Sequence, residues 1–162
     1  MSTTGPAREY YEGCRGRWRA PVAFTLTDAA ALARSGMSLL DRFSLRLLAS
    51  WPAWLGRIHL DTTVAFEGEH DVVHTTVVRW LGLSLRKSVE TFHIEPDGSR
   101  LTVCGGMTGH GSVDPTATRA DYTLGWLGVE IHQRTVREAD RVTVHQEGPG
   151  FRGYQELRRR AP

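Results

Sequence analysis

Residues 17–58 read RWRAPVAFTLTDAAALARSGMSLLDRFSLRLLASWPAWLGRI. The stretch begins as a strand and turns into helix. Trp18, Val22, Phe24 and Leu26 stand at even spacing, which makes them one face of a β-strand over Arg17–Leu26. Pro21 lies inside that run and either interrupts the strand or places it at a sheet edge. Thr27 is a fair helix N-cap, Asp28 suits a first turn, and Ala29, Ala30, Ala31, Leu32 and Ala33 are good helix formers. Gly36 divides the helical segment. The second arm is expected from Ser38 to Trp51, stopping before Pro52. On it Leu40, Phe43, Leu47 and Trp51 share one face and Arg42 and Arg46 another. Residues 27–55 therefore read as a helical pair whose second arm is amphipathic and cationic.

From Ile58 onward the period changes to that of strands. The runs are 59–67, 71–80, 83–95, 100–106, 117–124, 128–137, 140–147 and 151–158, separated by turn signals such as Pro96-Asp97-Gly98, Asp114-Pro115 and Gly148-Pro149-Gly150. With the first strand, about nine or ten strands are expected. Gly105–Gly111 is rich in glycine without phosphate-loop spacing, and reads as a loop or a bulged strand. Trp-Leu-Gly occurs at 54–56, 80–82 and 126–128. The plainer reading of the last two is that two hairpins use one turn solution; an internal duplication is the alternative.

The chain has 162 residues, of which 40% are hydrophobic, 23% charged and 9% aromatic, as in one ordinary globular domain. Residues 1–15 read as a loose polar lead-in and 16–160 as the domain. Lys+Arg 20 against Asp+Glu 18 leaves a formal charge of +2, without the concentrated basic stripe of a nucleic-acid binder. Arg far outnumbers Lys, and Lys87 is the only lysine. Cys14 and Cys104 exclude a disulfide scaffold, and Cys104 is expected to be a small buried residue. The N-terminal stretch lacks the apolar segment of a signal peptide, so a cytoplasmic protein is expected. The oligomeric state stays open.

A strand, a helical pair and then a long meander close naturally as a mainly β, antiparallel up-and-down barrel with the helices as a lid, which removes exposed sheet edges. At this point Gly16-Arg17-Trp18 resembles the Gly-x-Trp motif of the calycin superfamily. In that superfamily a basic residue near the end of the last strand packs on the Trp, a role open here to Arg158, Arg159 or Arg160. The element order further resembles the intracellular lipid-binding proteins of the fatty-acid-binding type. Their last strand carries Arg-x-Tyr, which holds a ligand carboxylate; this chain has Arg152-Gly153-Tyr154.

Arg152 and Tyr154 share a strand face by their two-residue spacing, unless Phe151, Gly153 and Leu157 on the other parity take the interior. On Leu83–Glu95 the parity of Leu83, Leu85 and Val89 is expected inside, with Lys87, Thr91 and His93 among them and Arg86, Ser88 and Glu90 in solvent. On Gly128–Arg137 the expected inner set is Val129, Ile131, Gln133 and Thr135. Lys87, Thr91, His93, Gln133 and Gln146 are thus the candidate polar cavity residues, with Trp80 and Trp126 as candidate aromatic walls. The seven histidines form no metal motif, so no metal or other cofactor is expected; a metal gathered by His74, His93, His132 and His145, or a haem on one histidine, are the lesser alternatives.

These features point to a barrel that binds a small hydrophobic ligand: fatty-acid-, lipid- or polyketide-like, with a possible anionic end. A cofactor-independent cyclase or isomerase in the same cavity is the alternative, because positioning alone can catalyse such reactions. A barrel filled by its own side chains is the third reading. Helix 38–51 reads as a packed lid, with transient membrane contact through Arg42, Arg46 and the tryptophans as the sharper option.

Overall fold

A computed structural model of the chain describes residues 5–161. Its elements are α1 (Pro6–Cys14), β1 (Gly16–Pro21), β2 (Phe24–Leu26), α2 (Ala29–Arg34), α3 (Leu39–Ala49), a 3-10 turn (Ala53–Leu55), β3 (Ile58–Glu67), β4 (Asp71–Trp80), β5 (Leu83–Ile94), β6 (Arg100–Gly105), β7 (Thr108–Val113), β8 (Arg119–Trp126), β9 (Val129–Arg137), β10 (Arg141–Gly148) and β11 (Phe151–Arg159). All strand pairs are antiparallel and run in chain order from β3 to β11. β1 pairs with both β3 and β11, which closes the sheet.

The first strand is in two pieces. Pro21 has no amide hydrogen to continue the ladder, and the chain bends there. β1 stays with β3, while β2 crosses to pair with the start of β11 through Phe24↔Gly153 and Leu26↔Phe151. Counted as one bent strand, β1 and β2 complete a closed barrel of ten strands with a helical pair after the first.

Both helices of the pair start on a side-chain cap. Asp28, not Thr27, caps α2: its carboxylate accepts from the amides of Ala30 (2.9 Å) and Ala31 (3.0 Å). Ser38 Oγ accepts from Asp41 N (3.1 Å) at the start of α3. Leu32, Met37 and Leu45 are the buried anchors of the pair. Of the face expected to pack, Trp51 does, edge-on to Trp80, but Leu40 is 73% exposed and Phe43 63%, with Leu39 and Leu47 also in solvent. The helix is amphipathic as read, but its richer apolar face points outward.

Residues 6–14 are not a loose lead-in. They form α1, whose Ala7, Tyr10, Tyr11 and Cys14 are all buried against the end of the barrel away from the helical pair. Tyr11 OH shares a hydrogen bond with Tyr122 OH (2.7 Å), and Tyr10 OH donates to Thr135 Oγ1 (2.7 Å). The buried residues of this segment are two tyrosines, one alanine and one cysteine among charges, a pattern that composition alone reads as polar.

β7 takes up residues 108–111 of the glycine-rich stretch, which reads as a loop or a bulged strand, and Gly106-Met107 form the turn before it. β7 is a regular strand, in register with β8 through Gly111↔Tyr122 and Val113↔Ala120. A Cβ on Gly111 would sit 2.3 Å from Tyr122 Cδ1, so the tyrosine ring fills the space a side chain would take. The Trp-Leu-Gly repeats at 80–82 and 126–128 are the tips of the β4–β5 and β8–β9 hairpins. Leu81 and Leu127 take positive φ (47° and 51°), as do the glycines after them (84° and 80°). Positive φ at both central residues is the two-residue hairpin turn whose twist suits the strands.

Candidate functional site

Facing residues in the ladders show which parity is inside. Trp18, Val64, Val72, Phe92, Leu101, Val103, Leu124, Ile131, Val144 and Phe151 are buried and stand on one continuous inner face. Gln133 and Gln146 belong to that face. They are register partners on β9 and β10, and Gln146 Nε2 donates to Gln133 Oε1 (2.8 Å). Trp80 and Trp126 also take inward positions, at the barrel rim. Trp80 donates its indole N–H to Leu55 O (2.7 Å) and meets Trp51 edge-on at 5.7 Å. Trp126 stacks on Phe24 (6.1 Å, 13° between planes) and tilts against Phe151.

Five predicted residues lie on the other side of the sheet. Arg152 and Tyr154 face outward, because Phe151, Gly153 and Gln155 take the interior of β11. Arg152 Nη2 pairs with Glu147 Oε1 (3.1 Å), and the Tyr154 ring lies 4.9 Å from His145. Both residues line a concavity of about 1040 Å³ on the outer surface of β7–β11, together with Asp121, His132 and Arg134. Its charges are largely matched in pairs, Arg134 with Asp121 and Arg152 with Glu147, as on a solvated polar face.

Lys87, Thr91 and His93 are outward as well. His93 Nδ1 bonds Asp71 Oδ1 (2.7 Å) on the outer face. Val89 points to solvent and Leu85 stands in a bulge, while Leu83, the register partner of the inward Trp80, is exposed at the rim. A bulge between Val78 and Arg79 lets Leu85 stand unpaired, so the upper hairpin shifts by one residue against its partner. Cys104 is exposed for the same reason of parity, while Leu101 and Val103 are inside.

The residues read as solvent-facing on β5 are therefore the inner ones. Arg86 faces Val78, Ser88 faces Thr76, and Glu90 faces His74 across the β4–β5 pair. Thr62 on β3 continues this polar stripe, with Thr62 Oγ1 and Thr76 Oγ1 3.2 Å apart. Glu90 is 3% exposed, and Ser88 Oγ donates to its carboxyl. Burial holds the Glu90 carboxyl above the usual carboxylate range, against the pull of Ser88 and Arg86. His74 lies between Phe92 (4.3 Å between ring centroids) and Tyr11 (5.5 Å). Burial pushes its imidazole down to about 4, so it is neutral at pH 7. Its Nε2 is buried without a hydrogen-bond partner.

Access to this stripe follows from strand lengths. β6 pairs with β5 over Glu90–Ile94 and Gly106 N donates to Val89 O (3.1 Å), so residues 83–88 of β5 rise past the β6–β7 turn without a ladder partner on that side. The inward groups Leu60, Thr62, Thr76, Val78 and Ser88 stay half-buried there, as do Phe24, Phe66, Trp126 and Gln146 elsewhere on the inner face, while Val72, Phe92, Leu124, Ile131 and Phe151 are buried. A Cβ on Gly106, in that turn, would reach within 2.7 Å of the Glu90 carboxyl and 2.6 Å of Ser88 Oγ. The site is thus a polar stripe on β3–β5, open beside the β6–β7 turn, with the aromatic cluster Phe24–Trp126–Phe151 elsewhere on the inner face. Among the described residues no three His, Cys, Asp or Glu converge as a metal-binding group. His74 is inside, whereas His93, His132 and His145 are on the outer face.

No family model matches the chain, and no curated protein does. Solved structures do. Fatty-acid-binding protein 1 of Echinococcus granulosus superposes with a TM-score of 0.53 at 12% identity, over 93% of this chain and 99% of its own. A REP1-NXSQ fatty acid transporter gives 0.52 at 8% identity, over 93% and 98%. Secretory abundant heat soluble protein 4 of Ramazzottius varieornatus gives 0.52 at 12% identity, over 91% and 94%. The likeness is one of fold: like these proteins, the chain forms a closed antiparallel ten-strand barrel with a helical pair after the first strand.

Proposed function

We propose that this protein binds a small, largely apolar ligand inside its barrel. The observation that carries the reading is the unfilled inner wall. Leu60, Thr62, Thr76, Val78 and Ser88 point inward yet remain half-buried, and Phe24, Trp126 and Gln146 on other strands of the inner face are half-buried as well. Barrels of this size hold one small ligand when side chains leave that room. Two of the similar folds are named as a fatty-acid-binding protein and a fatty acid transporter, which agrees with this reading. Burial of the ligand's apolar surface supplies the affinity, at about 25 cal/mol per Å². Trp126 and Phe24 form an aromatic wall, and the Gln133–Gln146 pair offers neutral polar contacts.

Native mass spectrometry of the purified protein, followed by denaturing extraction, is the test. A co-purifying apolar molecule supports the reading. A bare protein that also fails to take up a hydrophobic fluorescent probe overturns it.

Ligand exchange takes place at a membrane surface in this proposal. Leu39, Leu40, Phe43 and Leu47 form an unpartnered apolar face on α3, and Trp54, 82% exposed, stands on the following turn. Arg42 and Arg46 provide cations on the same helix, as an interfacial helix requires. No helix among the described residues is long and apolar enough to cross a membrane. Phe43→Glu is expected to abolish sedimentation with anionic phosphatidylglycerol vesicles while leaving probe uptake intact. Equal sedimentation of the variant and the parent protein removes the membrane step.

A further inference from the structure

We propose that the polar end of the ligand is a hydrogen-bond donor, an alcohol, held between His74 and Glu90, and that carboxylates are disfavoured. This inference rests on the ligand-binding reading above and specifies the chemistry of its polar end.

The two residues face each other across β4 and β5 on the inner wall. Each lacks something a hydroxyl supplies. His74 keeps a buried ring nitrogen without a partner. Buried polar atoms of this kind are rare in folded proteins and each needs an explanation. Glu90 receives one hydrogen bond, from Ser88 Oγ, and among the described residues no second side chain donates to it. A hydroxyl donates one hydrogen bond and accepts others. It can therefore donate to the Glu90 carboxyl and accept from the neutral imidazole.

Charge decides against a carboxylate. The basic side chain nearest this point on the inner face is Arg86, two places up β5, at the exposed rim. Arg152, the residue suited to hold a carboxylate, is outside the barrel and paired with Glu147. A ligand carboxylate beside Glu90 would place two acids together in a buried site, and one of them would have to bind a proton. The rest of the inner wall offers uncharged partners: Thr62, Thr76, Gln133 and Gln146. Gly106 lets the β6–β7 turn lie close against Ser88 and Glu90, since a side chain there would collide with both.

The test is displacement of a hydrophobic fluorescent probe by oleyl alcohol and by oleate, at pH 7.5 and below their aggregation concentrations. The expected result is that the alcohol binds at least about tenfold more tightly, a difference of about 1.4 kcal/mol in binding free energy. Glu90→Gln is expected to narrow that ratio by improving oleate binding. His74→Phe is expected to weaken the alcohol more than oleate, each read against that variant's own probe affinity. Oleate binding as tightly as the alcohol overturns the inference, as does a ratio unmoved in Glu90→Gln; in both cases the ligand-binding reading stands. Failure of the probe and both lipids to enter overturns that reading and this inference together.

Discussion

The guanidinium of Arg159 lies over the indole of Trp18, its carbon 4.4 Å from the ring centroid. The same group donates to Gly13 O and Arg15 O (2.7 Å each), and Trp18 Nε1 donates to Cys14 O (2.6 Å). One side chain thus ties the end of the last strand to the first strand and to the end of α1. Of the three arginines open to this role, the register selects Arg159, which pairs with Trp18 in the closing ladder. Closure of the barrel rests on two short pairings with β11, from β1 and from β2, so a side-chain clasp there has leverage. Arg159→Ala is expected to cost about 1–3 kcal/mol, from a cation–π contact and charge-assisted hydrogen bonds at a solvent-exposed site. Arg159→Lys should recover only part of it, because an ammonium lacks the planar fork. Urea denaturation of the three proteins measures this; equal midpoints would show that the clasp is ornamental.

The plug formed by α1 makes a second prediction. Tyr11 is fully buried, and its hydroxyl meets that of Tyr122, whose phenol burial pushes well above its ordinary value. Tyr11→Phe removes one hydrogen bond and is expected to cost about 1 kcal/mol. Tyr11→Ala removes a large buried ring and is expected to cost about 3–5 kcal/mol. Denaturation midpoints separate the two; similar values for both would mean that α1 does not pack on the barrel in solution.

His74 gives the protein a pH dependence. Its folded-state value of about 4 lies below the ordinary 6.5, so the unfolded chain takes up the proton first. The contribution is intact above about pH 6.5, declines as the pH falls toward 4, and amounts to about 3 kcal/mol at most. Glu90 acts in the opposite sense: its raised value favours the folded state at low pH and is lost as pH rises through the folded value. His74→Phe should therefore flatten the loss of stability between pH 6.5 and 4, and Glu90→Gln should steepen it. Stability measured across this range checks both signs.

Arg152→Ala and Tyr154→Phe are expected to leave ligand affinity within twofold of the parent protein. Both side chains are on the outer face, and the Arg152–Glu147 pair is exposed, where an ion pair contributes about 0–1 kcal/mol. Probe titration checks this. A large loss of affinity in either variant would mean that β11 carries its other face to the ligand.

The sequence by itself determined the barrel. Alternation in residues 58–158, the break at Pro21 and the helical run of 27–55 are local properties of the chain, set by strand and helix periods. The inner set of β9 was legible for the same reason: Val129, Ile131, Gln133 and Thr135 alternate against charged residues. Only the tertiary structure decided which face of β5 and β11 is inside. On β5 both parities carry a mixture of side chains, a bulge shifts the register, and the apolar parity ends on an exposed overhang rather than in the core. On β11 the inner positions include Gly153 and Gln155, which carry no hydrophobic signal, while Arg152 and Tyr154 match a motif without sharing its orientation. The helix at 6–14 was invisible because its stability comes from tyrosines buried against the barrel, and the partners of those tyrosines are more than a hundred residues away. The polar stripe of His74, Ser88 and Glu90 was missed on the same grounds: burial of a polar side chain depends on what faces it across the sheet, and a single strand does not contain that information.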